Sequence, residues 1–351
     1  MLIVFQRLMR WLGLAPAYEN PWGESHAATA VLDAPINEPH EDSTTDEQPP
    51  ELPGWWEPED HELVIEAPKS SAMVDSKLHE QLNRVLSDPD LELPRIPRVI
   101  QQALSLIRDE HVSFKNLANL LEQDQAVSAR LLRVANSARY RGIKQVSNLE
   151  HAFARLGYRE IRSILLTAAA HGIAIRTESG AQSLGKELWQ RSLASGVLVM
   201  EIGQHFHRPE DEAFMVGLLH DIGELAILRV MHDYQKMHNV RITRGLFSEL
   251  SRRWHCRVGL QLANAWNLPS PLPELIGDHH NLPSDDDELR IYRLIIQAGD
   301  AACALLNYGP FVPYDFFNLP CVRQLGLRRD PETCEWLAAL PELVESRIHA
   351  L

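Results

Sequence analysis

A histidine and an aspartate stand next to each other inside an apolar, helix-patterned segment, and this pair constrains the fold more than any other feature of the chain. The segment 214–224 reads FMVGLLHDIGE, with His220 and Asp221 in its second half. Two polar side chains in the middle of a buried helix are costly to desolvate unless a metal ion or another side chain binds them. The fold must therefore bring such a partner to this point, and the nature of that partner separates a hydrolase from a binding module.

From residue 76 onward the chain is patterned as one helix after another, with little strand-like alternation. Ser113 is placed to cap a helix that begins FKNL. Further on, Ser147 and Glu150 have the spacing of a capping box. We expect the helix that they start to run to Gly157, where a second helix takes over. These signals predict an all-α fold.

The net charge of the chain is concentrated in one segment. The formal net charge is -14, and residues 15–75 contain fifteen acidic residues against a single basic one, Lys69. Nine of the 22 prolines also fall there, so we predict a disordered, acidic, proline-rich linker over 15–75. The pair Trp55-Trp56 within it is a candidate docking motif. The remainder of the chain is neutral overall, which argues against a simple basic surface for nucleic acid.

Residues 1–14 predict an amphipathic helix with Gln6, Arg7 and Arg10 on a narrow polar strip. Two interpretations stay open: the helix contacts a membrane surface, with Trp11 and the arginines at the level of the headgroups, or it docks on a protein. No apolar run reaches the roughly 18–20 residues of a membrane span. The four cysteines are far apart, which fits free thiols in a reducing cytoplasm. We expect a cytoplasmic protein, with peripheral contact at the inner membrane as an open alternative.

A series of motifs in a fixed order runs through residues 91–304. They read LPRIP, ARLLRVANSARYRG, VSNLEHAFARLGYREIRSILL, LWQRSLASG, GLLHDIGEL, HCRVGLQLANAWNLP and DHHNLP. Together they resemble the HDOD family, the output-domain relatives of HD phosphohydrolases. The resemblance implies a two-lobed helical domain, in which a lobe shaped like the HD-hydrolase bundle follows an N-terminal lobe. We assign this domain to residues 76–305, followed by a C-terminal helical extension over 306–351.

The resemblance also implies a set of site residues. Active HD hydrolases hold a metal ion with an early histidine, the His-Asp pair and a later aspartate, and their binuclear relatives add further histidines. The matching positions that could bind a divalent metal are His220, Asp221, Asp300, His255, His279 and His280. If the site is active, His220 and Asp221 carry the catalysis, because a bound metal lowers the pKa of a water molecule.

Two positions depart from the hydrolase pattern. Arg191 stands where the early histidine is expected, and a guanidinium has no lone pair for a metal. We expect Arg191 to neutralise Asp221 and Asp300 with charged hydrogen bonds, a salt bridge in place of the metal. The second departure is Glu224, where the hydrolases commonly carry lysine. A carboxylate there removes a candidate phosphate-binding cation.

Two functions remain open on these residues. HDOD proteins are generally regarded as bacterial signalling components, usually without demonstrated enzymatic activity. The first interpretation is therefore a signal-transduction or scaffold protein with a degenerate site and no cofactor, which binds signalling proteins or a small ligand. The second is a metal-dependent phosphohydrolase that acts on nucleotides or cyclic dinucleotides and requires a divalent metal.

Overall fold

The computed structural model describes residues 76–107, 112–137, 140, 145–175, 182–309 and 315–350, which form helices and loops with no strand among them. The helices are α1 (Ser76–Ser87), α2 (Arg98–Ile107), α3 (Phe114–Leu121), α4 (Gln125–Ala135), α5 (Leu149–Ile175), α6 (Gln182–His205), α7 (Glu210–Leu219), α8 (Ile222–His238), α9 (Arg244–Ala265), α10 (Leu272–Gly277), α11 (Arg290–Leu305), a 3-10 turn (Phe316–Asn318), α12 (Pro320–Gln324) and α13 (Pro331–Ala350). The all-α prediction is confirmed for these residues. The predictions for 1–14 and 15–75 lie outside them.

The N-terminal lobe consists of α2 to α4 packed against α5. Ser113 caps α3 as predicted, because its side-chain oxygen accepts a hydrogen bond from the backbone N–H of Asn116 at 3.2 Å. Asp124 caps α4 in the same way, accepting from the N–H groups of its first turn. Each cap satisfies helix N–H groups that would otherwise lack a partner.

Helix α5 is two helices that meet at Gly157, as the sequence predicts. The backbone of Gly157 has φ 76° and ψ 166°, a conformation open to glycine and strained for other residues. The predicted cap of this helix is wrong by one residue. Asn148, rather than Ser147, accepts a hydrogen bond from the N–H of His151 at 2.8 Å, because the amide side chain of asparagine makes an equally good cap.

The C-terminal lobe is built around α6. Residues 192–203 of this helix are buried without interruption, because α5, α7, α11 and α13 all pack against it. Arg191 lies at the edge of the buried stretch, so its long side chain starts near the surface and ends inside the lobe. Helices α8, α9 and α10 complete the lobe.

The two ends of the described chain pack on this lobe. At the beginning, α1 lies against α9, where the indole N–H of Trp254 donates to Asn83 at 2.9 Å. At the end, α13 lies against α6, where Arg347 pairs with Glu201 at 3.0 Å. None of the described helices combines the length and the apolar character that crossing a bilayer demands.

Candidate functional site

The His-Asp pair lies at a junction between two helices. Helix α7 ends at Leu219 and α8 begins at Ile222. The prediction that the pair lies in the middle of one helix is therefore wrong. The apolar pattern hides this break because the residues on both sides of it are buried. Asp221 occupies the position before the first turn of α8, where the helix dipole favours a negative charge.

Two glycines let the helices around the pair approach one another. A Cβ atom on Gly223 would lie 2.0 Å from the backbone oxygen of His255, so α8 can touch α9 only through glycine at this position. On Gly259 a Cβ would lie 2.7 Å from the side chain of Ile276. The close packing of these helices places the histidines of α9 and of the segment after α10 beside Asp221.

Arg191 is the centre of a closed ion-pair network, which we call the arginine half of the site (Arg191, Glu224, Ser251 and Oδ2 of Asp221). Its Nη1 donates to Oε2 of Glu224 at 3.0 Å, and its Nη2 donates to Oδ2 of Asp221. The hydroxyl of Ser251 donates to the other oxygen of Glu224 at 3.1 Å. Asp300, the second partner expected from the sequence, lies against His220 instead, at 3.0 Å between Oδ1 and Nε2.

The charges of this half stabilise one another in spite of burial. Burial lowers the pKa of Arg191, but the carboxylates of Glu224 and Asp221 outweigh it, so the guanidinium stays charged. Burial likewise works to raise the pKa of Asp221, but Arg191 and His220 hold it well below its ordinary value. The pKa of Glu224 is raised, because burial exceeds the opposing effect of Arg191. Arg191 and Asp221 therefore form an ionised pair, and the carboxyl group of Glu224 lies beside it.

Four histidines and Asp300 form what we call the imidazole half of the site (His220, His255, His279, His280 and Asp300). Within it, Nε2 of His220 lies 3.4 Å from Oδ2 of Asp221, the oxygen that Arg191 also contacts. Three of the rings contact a backbone oxygen of the preceding helical turn through Nδ1: His220 at Gly217 (2.8 Å), His255 at Ser251 (2.8 Å) and His279 at Ile276 (3.2 Å). A neutral ring that donates through Nδ1–H presents the lone pair of Nε2, the arrangement found in metal-ligating histidines.

The Nε2 atoms of these rings gather around Asp221. Its Oδ1 lies 3.3 Å from Nε2 of His279 and 3.6 Å from Nε2 of His255. His280 joins the group through His255, with 2.8 Å between the two Nε2 atoms. The structure thus brings together all six residues that the sequence singled out as metal ligands.

The imidazole half contains buried polar atoms without an aligned hydrogen bond. They are Nε2 of His220, Oδ1 of Asp221, Nε2 of His279 and Oδ1 of Asp300. These atoms lie opposite one another: Nε2 of His220 is 3.0 Å from Oδ1 of Asp300, and Nε2 of His279 is 3.3 Å from Oδ1 of Asp221. Imidazole and carboxylate donors suit divalent transition metals, and the donors of His220, Asp221 and His279 lie within 4.8 Å of one another. These residues therefore fit a divalent metal ion.

The protonation states within the imidazole half diverge. Burial lowers the pKa of His220, but the carboxylates of Asp300 and Asp221 outweigh it and raise the pKa well above its ordinary value. For His280, burial and the positive charges of His279 and His255 act together and hold the pKa well below that value. Without a metal, His220 thus carries the proton and His280 stays neutral.

Two contributors were not expected from the sequence. Ser251 and His255 are four residues apart on α9, and with Gly259 they share one face of that helix. This spacing is a signal that would have placed Ser251 at the site. The second is Cys256, whose Sγ lies 3.2 Å from Nε2 of His255. The Sγ atom of Cys256 and one ring nitrogen from each of His255, His279 and His280 lie within 4.8 Å of one another. They form a second group that could hold a metal ion.

The HDOD domain model matches residues 93–282, more than half of the chain, and this protein therefore belongs to the HDOD family. The match covers the HD pair, α9 and the two histidines after α10. It does not extend to Asp300 or to α13. The family and the all-helical fold expected from the sequence motifs are confirmed.

Similar proteins agree in fold. A crystal structure from Shewanella amazonensis SB2B, named "Putative metal-dependent phosphohydrolase", has a TM-score of 0.56 at 24% identity, over 76% of this chain and 98% of that one. An HDOD domain protein of unknown function from Geobacter sulfurreducens has a TM-score of 0.55 at 24% identity, over 79% and 97%. An uncharacterized protein of Treponema pallidum (strain Nichols) is 26% identical over 57% of this chain, which spans 40% of that relative's length.

Proposed function

We propose that this HDOD protein is a bacterial signal-transduction component that works by binding a protein partner or a small ligand, not by hydrolysis. The observation that carries the proposal is the guanidinium of Arg191, which is bonded to Asp221 and Glu224 where HD hydrolases present a histidine to the metal. At the position where an active HD hydrolase has its first metal ligand, this protein has an arginine that forms an ion pair.

The charge of Arg191 supports this proposal on physical grounds. A guanidinium next to Asp221 repels a divalent cation by several kcal/mol at the effective dielectric constant of a protein interior. It also occupies Oδ2 of that carboxylate. Glu224 adds a negative charge where a transferred phosphate would need a cation.

The proposal is tested by metal content and turnover. The full-length protein is purified without chelators, its Mn, Fe, Zn, Ni and Mg are measured per chain, and hydrolysis of bis(p-nitrophenyl) phosphate and cyclic dinucleotides is followed. We expect metal far below one ion per chain and no turnover above that of Asp221→Ala. Near-stoichiometric metal in the natural protein, lost together with turnover in Asp221→Ala, contradicts the proposal.

A matched variant restores the hydrolase pattern. Arg191→His alone would leave Glu224 buried without its cation, so we combine it with Glu224→Gln, which keeps the shape of the side chain and the contact with Ser251. If Arg191 is what disfavours the metal, this double variant gains at least about tenfold in metal affinity, since removal of more than about 1.4 kcal/mol of repulsion has that effect. No gain would mean that Arg191 does not control the site.

A second candidate function is a metal-dependent phosphohydrolase, and one observation favours it. The buried atoms of the imidazole half without an aligned hydrogen bond offer a ligand set to a divalent metal, held by His220, Asp221 and His279 with Asp300, His255 and His280 nearby. When bound, such a metal lowers the pKa of a coordinated water molecule. In this case the Nδ1 contacts to backbone oxygens orient the rings. The metal measurement above separates the two functions.

A further inference from the structure

A groove runs along the junction of the two lobes, away from the HD site. Two adjoining cavities of about 440 and 340 Å³ share Ile96, Gln101, Ala265 and Trp266, so they form one continuous depression. The first lies under the loop between α1 and α2. The second lies between α2, α5 and the end of α9, and we call it the inner cavity.

The inner cavity is apolar at its base and positively charged at its edge. Its base includes Ile96, Leu166, Trp266 and Leu268, all of which are buried. Arg162 is the only charged residue that lines it among those the structure describes. Such a site suits an aromatic side chain followed by carboxylates.

Arg162 lines the inner cavity and Arg159 lies one helical turn before it, whereas the first cavity is lined by Asp90, Glu92 and Arg95. Arg162 and Arg159 are three residues apart on one face of α5, and neither forms an ion pair with a described residue. The sequence of this lobe, residues 93–175, contains 12 basic and 6 acidic residues. The inner cavity, rather than the first, therefore favours an acidic ligand.

The chain itself contains a segment of matching chemistry. Residues 51–62 read ELPGWWEPEDHE, with Trp55 and Trp56 next to each other, five acidic residues and no lysine or arginine. This segment lies outside the described residues. Its composition is that of a ligand for an apolar cavity bordered by guanidinium groups.

The distance along the chain permits the contact. Thirteen residues, 63–75, separate the segment from Ser76 at the start of α1. A chain of that length with random-coil statistics would span about 20 Å on average. Helix α1 has 12 residues, or a length of about 18 Å, and ends at the loop that lines the first cavity. The attachment point is thus about one helix length from the groove.

We propose that residues 51–62 bind in this groove in the same molecule, with the Trp55-Trp56 pair in the inner cavity and the following carboxylates at Arg159 and Arg162. The acidic segment then covers the junction of the lobes, and any partner of that surface must displace it. The inference does not depend on whether the HD site binds a metal. Because the connection is short, an effective concentration in the millimolar range makes even a weak contact sufficient.

Hydrogen exchange of the full chain, read by mass spectrometry, tests the proposal. In Trp55→Ala with Trp56→Ala we expect amides of residues 93–107 and 265–269 to exchange about tenfold faster, as for a contact with a dissociation constant near one tenth of the effective concentration. Trp22→Ala, which alters another tryptophan of the acidic segment, is the matched control and leaves the rate unchanged. Equal rates in the natural protein and the double variant would overturn the proposal.

A charge exchange tests the assignment of the arginines. Arg159→Glu with Arg162→Glu replaces half-buried and exposed groups on α5 and is expected to speed exchange by the same factor. Adding Glu57→Lys with Glu59→Lys restores protection if the two sets of residues touch, and a lack of restoration refutes their pairing. Protection that rises with protein concentration would show a second copy in the groove and would also refute binding within one molecule. Unchanged thermal melting in each variant excludes unfolding as the cause.

Discussion

The arginine half and the imidazole half of the site share Asp221 but differ in how their polar atoms are satisfied. In the arginine half, Arg191 reaches two carboxylates, and Ser251 supplies the remaining hydrogen bond to Glu224. In the imidazole half, four buried atoms lack an aligned partner. One half makes aligned hydrogen bonds, whereas the other makes close contacts without that alignment.

This difference shows that one carboxylate can serve two kinds of contact. Oδ2 of Asp221 contacts Arg191 and His220, while Oδ1 faces His279 and His255. In the imidazole half, His220 lies close to Asp300 and His279 lies close to Asp221, but these contacts lack hydrogen-bond alignment. We therefore expect the arginine half to contribute more stability than the imidazole half.

The largest effect is expected from Asp221→Ala, which removes the residue common to both halves. Arg191 and His220 would lose a buried counterion, and a broken buried ion pair costs about 3–5 kcal/mol. Urea denaturation in the presence of a chelator measures the change in the free energy of unfolding. Asp233→Ala, which breaks the half-exposed pair with Arg229, is the control and should cost less than about 1 kcal/mol. Equal costs for the two variants would remove the distinction between buried and exposed pairs.

A smaller loss is expected from Gly223→Ala, which pushes α8 and α9 apart beneath both halves. The new Cβ meets the backbone oxygen of His255, and a forced shift of packed helices costs about 1–3 kcal/mol. Gly172→Ala is the matched control, since no atom lies within 4 Å of its Cβ position in α5. That change should stabilise the protein by about 0.5–1 kcal/mol. If both variants behaved alike in thermal denaturation, close packing at Gly223 would not matter.

Ser251→Ala probes the arginine half alone. It removes the hydroxyl that donates to Glu224, and the loss of one such bond costs about 1 kcal/mol. Ser346→Ala, which removes a hydroxyl on the exposed surface of α13, should change the free energy of unfolding by less than about 0.5 kcal/mol. A larger loss at Ser346 than at Ser251 would contradict the assignment of Ser251 to the network.

The smallest effect concerns the pH dependence contributed by His220. Because the pKa of His220 is raised in the folded state above its ordinary value of 6.5, its contribution to stability is complete below that pH and is lost as the pH rises through the folded pKa. With a chelator present, the free energy of unfolding should therefore fall between about pH 6.5 and the folded pKa. His220→Gln should show a shallower fall, and an identical slope in both proteins would argue against a protonated His220.

Local signals in the sequence predicted much of the fold. Gly157 marked the break within α5, and Ser113 marked the start of α3. The start of α5 was misplaced because Ser147 and Asn148 are both good capping residues, and only the backbone path decides which side chain faces the free N–H groups. Adjacent candidates of this kind cannot be ranked from residue type alone.

The sequence predicted which residues come together in the candidate site, but not which of them pair with each other. The motifs singled out the candidate residues, and the structure gathers His220, His255 and His279 around Asp221. The pairing of Arg191 was expected with Asp300, whereas Glu224 takes that place. Asp221 and Glu224 are three residues apart at the start of one helix, which was a usable signal. Asp300 lies on α11, and its distance from Arg191 depends on how three helices pack.

The contact between Arg191 and Glu224 also limits how this protein can evolve. Without Arg191, Glu224 would be buried without a cation, and without Glu224, Arg191 would keep only the carboxylate of Asp221. A change at either position alone is therefore disfavoured. Such mutual dependence is epistasis, and it predicts that family members exchange these two residues together or keep both.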